Sequence, residues 1–336
     1  MAGGGRLRRA APAIGLIFLS PWVGEFLLGS SPIQHLPAAL VLLVPLYGGG
    51  ALLIREIARR FGRGYPAIVL LGAAYGVIEA GLLDQSMFNP AFRNEGSDAG
   101  FATLANQALG YVAGHAVWSI AIPIAMVELM AADRSAAPWL GRKGLAAAAI
   151  LYAVGCATVF SFIYAEYRFL ASPVQLAGAF AAAILLAVAA FAVGSGGRTP
   201  VAGVGVRPWL VGVGAFAVSG VFAARPEHGW SGLIIGCVLL SASWIIVRRW
   251  SRSPWWSVRH RMALVTGALL TCAWLGFVVT WLLRPEDRVA WFGNGLFALI
   301  AIALAAVMAR RTRSHAGGGS GRSVPPPGGE PSDVGR

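Results

Sequence analysis

The sequence predicts an all-α membrane protein, a bundle of about ten transmembrane helices with both termini in the cytoplasm. Of its 336 residues, 57% are hydrophobic and only 12% are charged, whereas a soluble globular chain is about half apolar and about a quarter charged. The apolar residues stand in long blocks, each close to the ~20 residues that a helix needs to cross a bilayer. Basic residues collect in the short segments between the blocks. These features exclude a soluble enzyme, a disordered chain and an outer-membrane barrel, which would show short alternating strands.

Ten apolar blocks can be marked, of which the seventh is short and rich in glycine at its start. They are residues 12–29, 36–54, 65–83, 108–130, 144–164, 173–194, 208–224, 229–247, 262–283 and 289–309. A basic segment, residues 1–11, precedes the membrane domain, residues 12–309. The Gly/Ser/Pro-rich composition of residues 310–336 predicts a disordered cytoplasmic tail.

The positions of the basic residues predict the orientation. With the N-terminus inside, the inner segments hold 22 of the 27 basic residues and the outer loops hold five, which agrees with the positive-inside rule. The one lysine, Lys143, among so many arginines is typical of GC-rich bacteria, so the expected location is the bacterial plasma membrane.

The net charge of +13 would suggest nucleic acid in a soluble protein. Here the most basic segment, residues 248–261, alternates arginine with tryptophan between two membrane helices. We therefore predict contact with membrane lipids, with anionic headgroups at the cytoplasmic face, and no nucleic-acid partner.

Four ionisable residues lie within apolar blocks, where a charge is costly and usually faces the bundle interior. Glu25, Glu79 and His115 fall in the outer half of the membrane, and Asp84 and His35 stand at the outer ends of their helices. Glu128 lies 13 residues beyond His115, about 20 Å deeper. We expect it to form an ion pair with Arg55 or Arg59.

The residues around Glu79 and His115 predict a polar pocket between close-packed helices. Tyr75 precedes Glu79 by one helical turn, and a stripe at i, i+4 and i+8 joins Tyr111, His115 and Ser119. A row of small residues permits close approach of a neighbouring helix, while prolines and a glycine run predict interrupted helices. The small row is Gly72, Gly76 and Ala80, and the interruptions are Pro123, Pro45 and residues 48–50.

Each of these residues also has a purely structural interpretation. Glu79 and His115 can form an interhelical polar pair without function, and Glu25 can extend to the interface. Asp84 and His35 can be ordinary solvated loop residues, with Asp84 beginning either a gate or a capped turn at residues 84–90. No motif predicts a cofactor. The sequence has no HExxH motif and the cysteines have no metal-site spacing, so no metal site is predicted.

Two short segments resemble motifs of the CPBP-type (CAAX-processing-like) intramembrane protease family. They are residues 75–84 and 115–119, and the family motifs are EExxxR on one helix and HxxxN on another. Glu79 matches the first glutamate and His115 the histidine. In place of the second glutamate, the arginine and the asparagine stand Ala80, Asp84 and Ser119. The resemblance covers about 15 of the 336 residues and implies a membrane-embedded hydrolase.

Three functions remain open from the sequence. The first is a proton-coupled carrier or permease with an outward pocket lined by Glu25, Glu79 and His115 and an unidentified small-molecule substrate. The second is a hydrolase in which Glu79 activates water and His115 acts as a base or a metal ligand. The third is an accessory membrane protein without chemistry. Further proton- or substrate-binding candidates are Asp84, Tyr111 and Ser119.

Overall fold

A computed structural model describes residues 3–92, 100–131, 136–193 and 205–317, which are mostly helical and contain no β-strand. Nine of the helices are at least 18 residues long and apolar enough to cross a membrane, and one apolar helix is shorter. The apolar helices are α1 (Ala10–Leu27), α2 (Ile33–Arg60), α3 (Tyr65–Leu83), α4 (Phe101–Met130), α5 (Arg142–Tyr167), α6 (Pro173–Ala192), α7 (Pro208–Ala223), α8 (Gly229–Trp250), α9 (Val258–Leu283) and α10 (Arg288–Thr312). The prediction of an all-helical, multi-pass membrane fold is confirmed, and α7 is the block predicted to be short.

Several helices extend beyond the apolar blocks. Helix α2 continues to Arg60 because the charged side chains of its last turns are buried in ion pairs, and α4 begins at Phe101. The first helix already begins at Gly3. The last continues to Gly317, inside the segment 310–336 that was expected to be a disordered tail. The remainder of that tail lies outside the described residues.

The first four helices and α9 form the interior of the bundle. In α4, 78% of the most apolar stretch is buried, compared with 17% in α5 and α6 and 11% in α8. Helices α1 and α4 contribute to both large hydrophobic clusters, one shared with α9 and α10 and the other with α2, α3 and α5. The large apolar side chains of α5 to α8 point outward, as expected for helices that face lipid.

Each of the first four helices contains a π-helical segment, in which hydrogen bonds run i to i+5 instead of i to i+4. The segments are Trp22–Leu27, Val44–Gly48, Glu79–Leu83 and His115–Ala121. Pro123 follows the last of them and has no N–H to donate to the carbonyl of Ser119. Instead, the buried Ser20 hydroxyl lies 2.5 Å from the Ser119 carbonyl oxygen and 3.1 Å from that of Tyr47. Ser20 thereby joins α1, α2 and α4.

The expected interruption of α2 is present as a π-helical segment that contains Pro45 and the first residue of the glycine run. A regular α-helix begins at Gly49, and the irregular π-helical turn lies before it. The glycines serve close packing, because a Cβ atom on Gly50 would lie 2.7 Å from the ring of Tyr75 and one on Gly49 would lie 3.0 Å from the backbone of Tyr152. The run therefore admits α3 and α5 against α2.

The small-residue row on α3 permits close packing, as predicted. A Cβ atom on Gly76 would lie 3.0 Å from the Cβ atom of His115, and one on Gly72 would lie 3.1 Å from the Cα atom of Ala116. The backbones of α3 and α4 approach so closely because these positions lack side chains. This contact brings Glu79 of α3 to His115 of α4.

Candidate functional site

Four polar side chains, one from each of the first four helices, meet inside the bundle. They are Glu25, Tyr47, Glu79 and His115, which we call the Glu–Tyr–His cluster. The Tyr47 hydroxyl oxygen is central: it lies 2.5 Å from Glu25 Oε1 and 3.1 Å from Glu79 Oε1. It also lies 3.2 Å from His115 Nε2. Each of the four residues belongs to the π-helical segment of its helix, an irregularity that is frequent at functional sites.

The imidazole of His115 has a defined orientation. Its Nδ1 lies 2.7 Å from the carbonyl oxygen of Tyr111, and because a carbonyl only accepts, Nδ1 carries a hydrogen. Its Nε2 lies 2.5 Å from Glu79 Oε2. Apart from this ionic contact, Oε2 has no hydrogen-bond donor in the described part of the chain. A neutral imidazole and a carboxylate would bring two acceptors together there, so the contact requires a proton.

Two protons in addition to those of a neutral imidazole and a phenol give a donor to each contact that the two carboxyl groups make with Tyr47 and His115. Protonated Glu25 then donates to the Tyr47 oxygen, the Tyr47 hydroxyl donates to Glu79 Oε1, and the His115 imidazolium faces Glu79 Oε2. The net charge is zero, as a membrane interior favours. Removing either proton leaves two acceptors in contact and a negative charge, which is costly away from water. The geometry of the cluster can therefore accommodate two protons.

Aromatic rings surround the carboxylates. The ring centre of Tyr75 lies 5.8 Å from that of Tyr47 and 6.0 Å from that of His115. Tyr47 and His115 are 5.9 Å apart, and Tyr152 of α5 lies 6.1 Å from Tyr75. The buried hydroxyl of Tyr75 has no hydrogen-bond partner among the described residues. It is thus a donor within the site that the protein itself leaves unused.

The structure brings together Glu25, Glu79 and His115 and leaves the other predicted site residues in different roles. Tyr111 supplies its carbonyl oxygen to His115, and Ser119 supplies its carbonyl oxygen to Ser20. Of the expected polar stripe on α4, His115 contacts the Glu79 carboxylate, and the π-helical segment that begins at His115 changes the spacing between it and Ser119. His35 is exposed at the start of α2.

Asp84 follows the end of α3 and does not contact the cluster directly. Its Oδ1 accepts a hydrogen bond of 2.9 Å from the backbone N–H of Ser86. Burial, and next the negative charge of Glu79, raise the pKa of Asp84 to about 8, so its carboxyl holds a proton near neutral pH.

The loop after Asp84 is buried, unlike a solvated turn. Gln85, Ser86 and Asn89 are each at most 3% exposed, and the Gln85 side chain accepts a hydrogen bond from the backbone N–H of Ala171 at 2.7 Å. This bond fixes the loop against the start of α6.

Tyr47, the residue that joins the cluster, was not among the residues predicted from the sequence. A tyrosine in an apolar block is not unusual, so the residue type carries little signal. Its position between Pro45 and Gly48 was the available clue, because an interrupted helix can turn a side chain toward a site.

A second buried group of charges lies elsewhere in the bundle and consists of Arg55, Glu56, Arg59 and Glu128, the Arg–Glu network. Glu128 lies 3.1 Å from Arg55 and 2.6 Å from Arg59, so the predicted ion pair is confirmed. Glu56, which was not predicted from the sequence, lies 2.8 Å from Arg55 and accepts backbone N–H groups of Trp139 and Leu140. The network joins α2, α4 and the end of the segment that precedes α5.

The described residues contain no group of three or more His, Cys, Asp or Glu side chains arranged to hold a metal ion. What the Glu–Tyr–His cluster offers is a set of hydrogen-bond donors and acceptors that can exchange protons.

Helix lengths, apolar composition and the buried polar centre define a multi-pass membrane protein. A family model described as an uncharacterized membrane protein family matches residues 15–315, and the chain belongs to that family. Comparison with curated proteins and with solved structures gives no match. The family match shows no link to the CPBP-type proteases.

Proposed function

We propose that the protein is a proton-coupled carrier whose proton-binding site is the Glu–Tyr–His cluster. One observation carries the proposal: Tyr47 contacts Glu25, Glu79 and His115 at once, an arrangement that is satisfied only when extra protons are bound. Intramembrane carboxylates and histidines commonly form proton relays in transporters.

Exchange of these protons would provide the coupling. A carrier needs a site whose charge changes between the two halves of its cycle, and loss of a proton changes the charge of this cluster by one unit. The π-helical segments and Pro123 provide irregular backbone at the site, as is common in transporter helices. The positive-inside topology predicts that the site lies toward the outer face.

The first experiment measures proton occupancy. Because Asp84 is also expected to hold a proton, the measurement uses purified Asp84→Asn protein. Infrared spectroscopy should detect the C=O stretch of a buried carboxylic acid in it, and adding Glu25→Gln should remove that band. Glu166→Gln, at an exposed residue near the end of α5, is the control and should leave the band unchanged. Absence of a buried acid band in the Asp84→Asn protein would contradict the two-proton state.

The second experiment measures coupled flux. Protein in sealed proteoliposomes with an internal pH dye is exposed to a panel of charged and neutral small molecules, with no initial pH gradient. At least one compound should drive proton movement, and Glu79→Gln should abolish that movement while Glu166→Gln does not. If the acid band is present but no compound moves protons, the carrier function is wrong and an accessory role gains support.

A membrane-embedded hydrolase is the second candidate. It is favoured by the 2.5 Å contact between Glu79 and His115, the two residues that carry the CPBP resemblance, because a carboxylate and an imidazole in contact can activate water. The two functions differ in their need for a sealed membrane. A hydrolase would turn over a peptide or lipid substrate equally well in detergent micelles, whereas a carrier has no activity there.

A further inference from the structure

We infer that the Glu–Tyr–His cluster binds a monovalent organic cation, a quaternary or protonated amine, in exchange for a proton. This inference rests on the proposed carrier function and names its substrate class.

The charges of the site favour a cation. Glu25 and Glu79 form no ion pair with lysine or arginine within the described ranges, and the one basic group in contact with them is His115. After loss of a proton, the cluster has one uncompensated negative charge. Titratable groups from every neighbouring element, taken together, add no permanent positive charge. They are Glu25 of α1, Tyr47 of α2, Tyr75 and Glu79 of α3, His115 of α4, Tyr152 and Cys156 of α5, and Asp84 in the loop after α3.

The site is better suited to an organic cation than to a small metal ion. A small ion gives up its water only where several oxygen ligands replace it, and the part of the chain that the structure describes has no group of three or more His, Cys, Asp or Glu side chains arranged to hold one. A quaternary ammonium or a similar cation is weakly hydrated and binds against aromatic rings. The rings of Tyr47, Tyr75 and His115 lie within 5.8–6.0 Å of one another beside the carboxylates.

The hydroxyl of Tyr75, unpaired within the described residues, is the second observation that indicates a ligand. Its side chain is 2% exposed and its hydroxyl has no partner among the described residues, although buried hydroxyls are usually hydrogen-bonded. Gly50 lies against its ring and permits this position. The Tyr75 oxygen can accept a hydrogen bond, so a protonated amine bound at the site would donate to it and give this hydroxyl a partner.

The exchange balances in charge. The cluster with two extra protons is neutral. When one monovalent cation enters and one proton leaves, the cluster stays neutral, so the cation and the proton compete for the same negative charge. The apparent dissociation constant should therefore fall by up to about tenfold for each unit of pH rise, the linkage expected for release of one proton.

The experiment compares two ions of the same shape and opposite charge. The purified full chain in neutral detergent is titrated by calorimetry with tetraphenylphosphonium and with tetraphenylborate, in buffers of different ionisation enthalpy that report proton release. Tetraethylammonium serves as a smaller cation. We expect at least one of the two cations to bind with release of about one proton, and we expect the borate not to bind at the site.

Variants assign the binding to the cluster. Glu79→Gln should weaken cation binding at least tenfold and remove the proton release, while Glu166→Gln should change neither. Tyr75→Leu should weaken binding about 2- to 30-fold through loss of the ring, whereas Tyr75→Phe, which keeps the ring, should have a smaller effect. Thermal unfolding of each variant shows whether it is folded, and the Tyr75 pair tests the inference even if Glu79→Gln does not fold.

Three results would overturn the inference: equal binding of the borate, cation binding that Tyr75→Leu and Glu79→Gln both leave unchanged, or no binding of either cation. If the buried acid band of Glu25 is present while neither cation binds, the proton site stands and the substrate class is wrong. If the band is absent as well, the proposed function fails with it.

Discussion

Tyr47 shows how a single hydroxyl group can organise several charges inside a membrane protein. It has one hydrogen to donate, yet it contacts two carboxylates and an imidazole. Because the acceptors outnumber the donors, this arrangement requires additional protons on the carboxylate and imidazole groups. At this scale the chemistry depends on individual atoms, and removing one atom should change it measurably.

Tyr47→Phe removes the shared hydroxyl and keeps the ring. We expect a loss of about 1–3 kcal/mol in the free energy of unfolding, because buried partners are left unsatisfied. The measurement is denaturant or thermal unfolding in detergent. Tyr164→Phe, at a residue that is 42% exposed, is the matched control. Equal stability of the two variants would mean that the contacts of Tyr47 contribute nothing.

Asp84→Asn tests the pKa of the carboxyl next to the site. Because the pKa in the folded state is raised to about 8, the folded protein binds a proton that the unfolded chain releases near pH 4. Stability should therefore fall as the pH rises from about 4 to about 8. The asparagine keeps the acceptor for the Ser86 N–H and removes the titration.

The difference in melting temperature between Asp84→Asn and the parent protein should thus grow in favour of the variant over this pH range. Parallel melting curves across the range would show that Asp84 does not carry the raised pKa.

At the scale of the helix, π-helical segments and prolines decide which side chains face the centre. Each of the first four helices departs from α-helical geometry where it contributes to the cluster. Such departures free backbone carbonyls, and Ser20 donates to two of these, those of Tyr47 and Ser119. The irregular turns are therefore joined to one another by hydrogen bonds.

Ser20→Ala should lower the free energy of unfolding by about 1–3 kcal/mol, because buried carbonyl groups would lose their donor. The cost should be smaller in a Pro123→Ala background, because the substituted residue would supply an N–H four residues after Ser119. A double-mutant cycle on unfolding free energies measures this coupling, and we expect about 1 kcal/mol. Strict additivity would show that Pro123 is not the reason for the free carbonyl at Ser119.

The Arg–Glu network fixes α2 against α4. Glu128→Gln removes the carboxylate that contacts Arg55 and Arg59, so the network keeps two buried or half-buried arginines there with Glu56 as the remaining carboxylate against Arg55. We expect destabilisation of about 3–5 kcal/mol, the usual cost of removing one partner of a buried ion pair. Unfolding in detergent measures it, with Glu166→Gln as the exposed control. A loss similar to that of the control would show that the network is not a stabilising element.

For the whole molecule, the division between a polar interior and an apolar exterior follows from the bilayer. Helices α2 to α4 hold the buried carboxylates and the buried arginine, and α5 to α8 present apolar side chains outward. Trp250, at the end of α8, packs against Trp255 and Trp256 in the loop before α9. The ring centres of Trp250 and Trp255 lie 5.9 Å apart. This packing is consistent with the predicted contact of the arginine-rich segment with lipid headgroups.

The topology can be tested by labelling in intact cells. A membrane-impermeant maleimide should react with Glu286→Cys, in the loop between α9 and α10, and should not react with Arg252→Cys, between α8 and α9. The positive-inside rule predicts these sides only if the short helix α7 crosses the membrane. The opposite pattern would mean that α7 does not cross and that the C-terminal end lies outside.

The sequence by itself determined the class of the fold, because the cost of unpaired backbone groups in lipid requires helices of about bilayer length, and such blocks are readable in composition. It also indicated Glu25, Glu79 and His115 as site residues, because charge in an apolar block is energetically costly. The pairing of Glu128 with arginine was predicted as well. Only the tertiary structure decided that the first three meet at Tyr47, that the glycines of α2 admit neighbouring helices, and that Ser119 offers its backbone to Ser20. Those outcomes depend on how π-helical turns rotate side chains and on how closely helices approach, which are properties of several helices packed together and are not encoded in the spacing along any one of them.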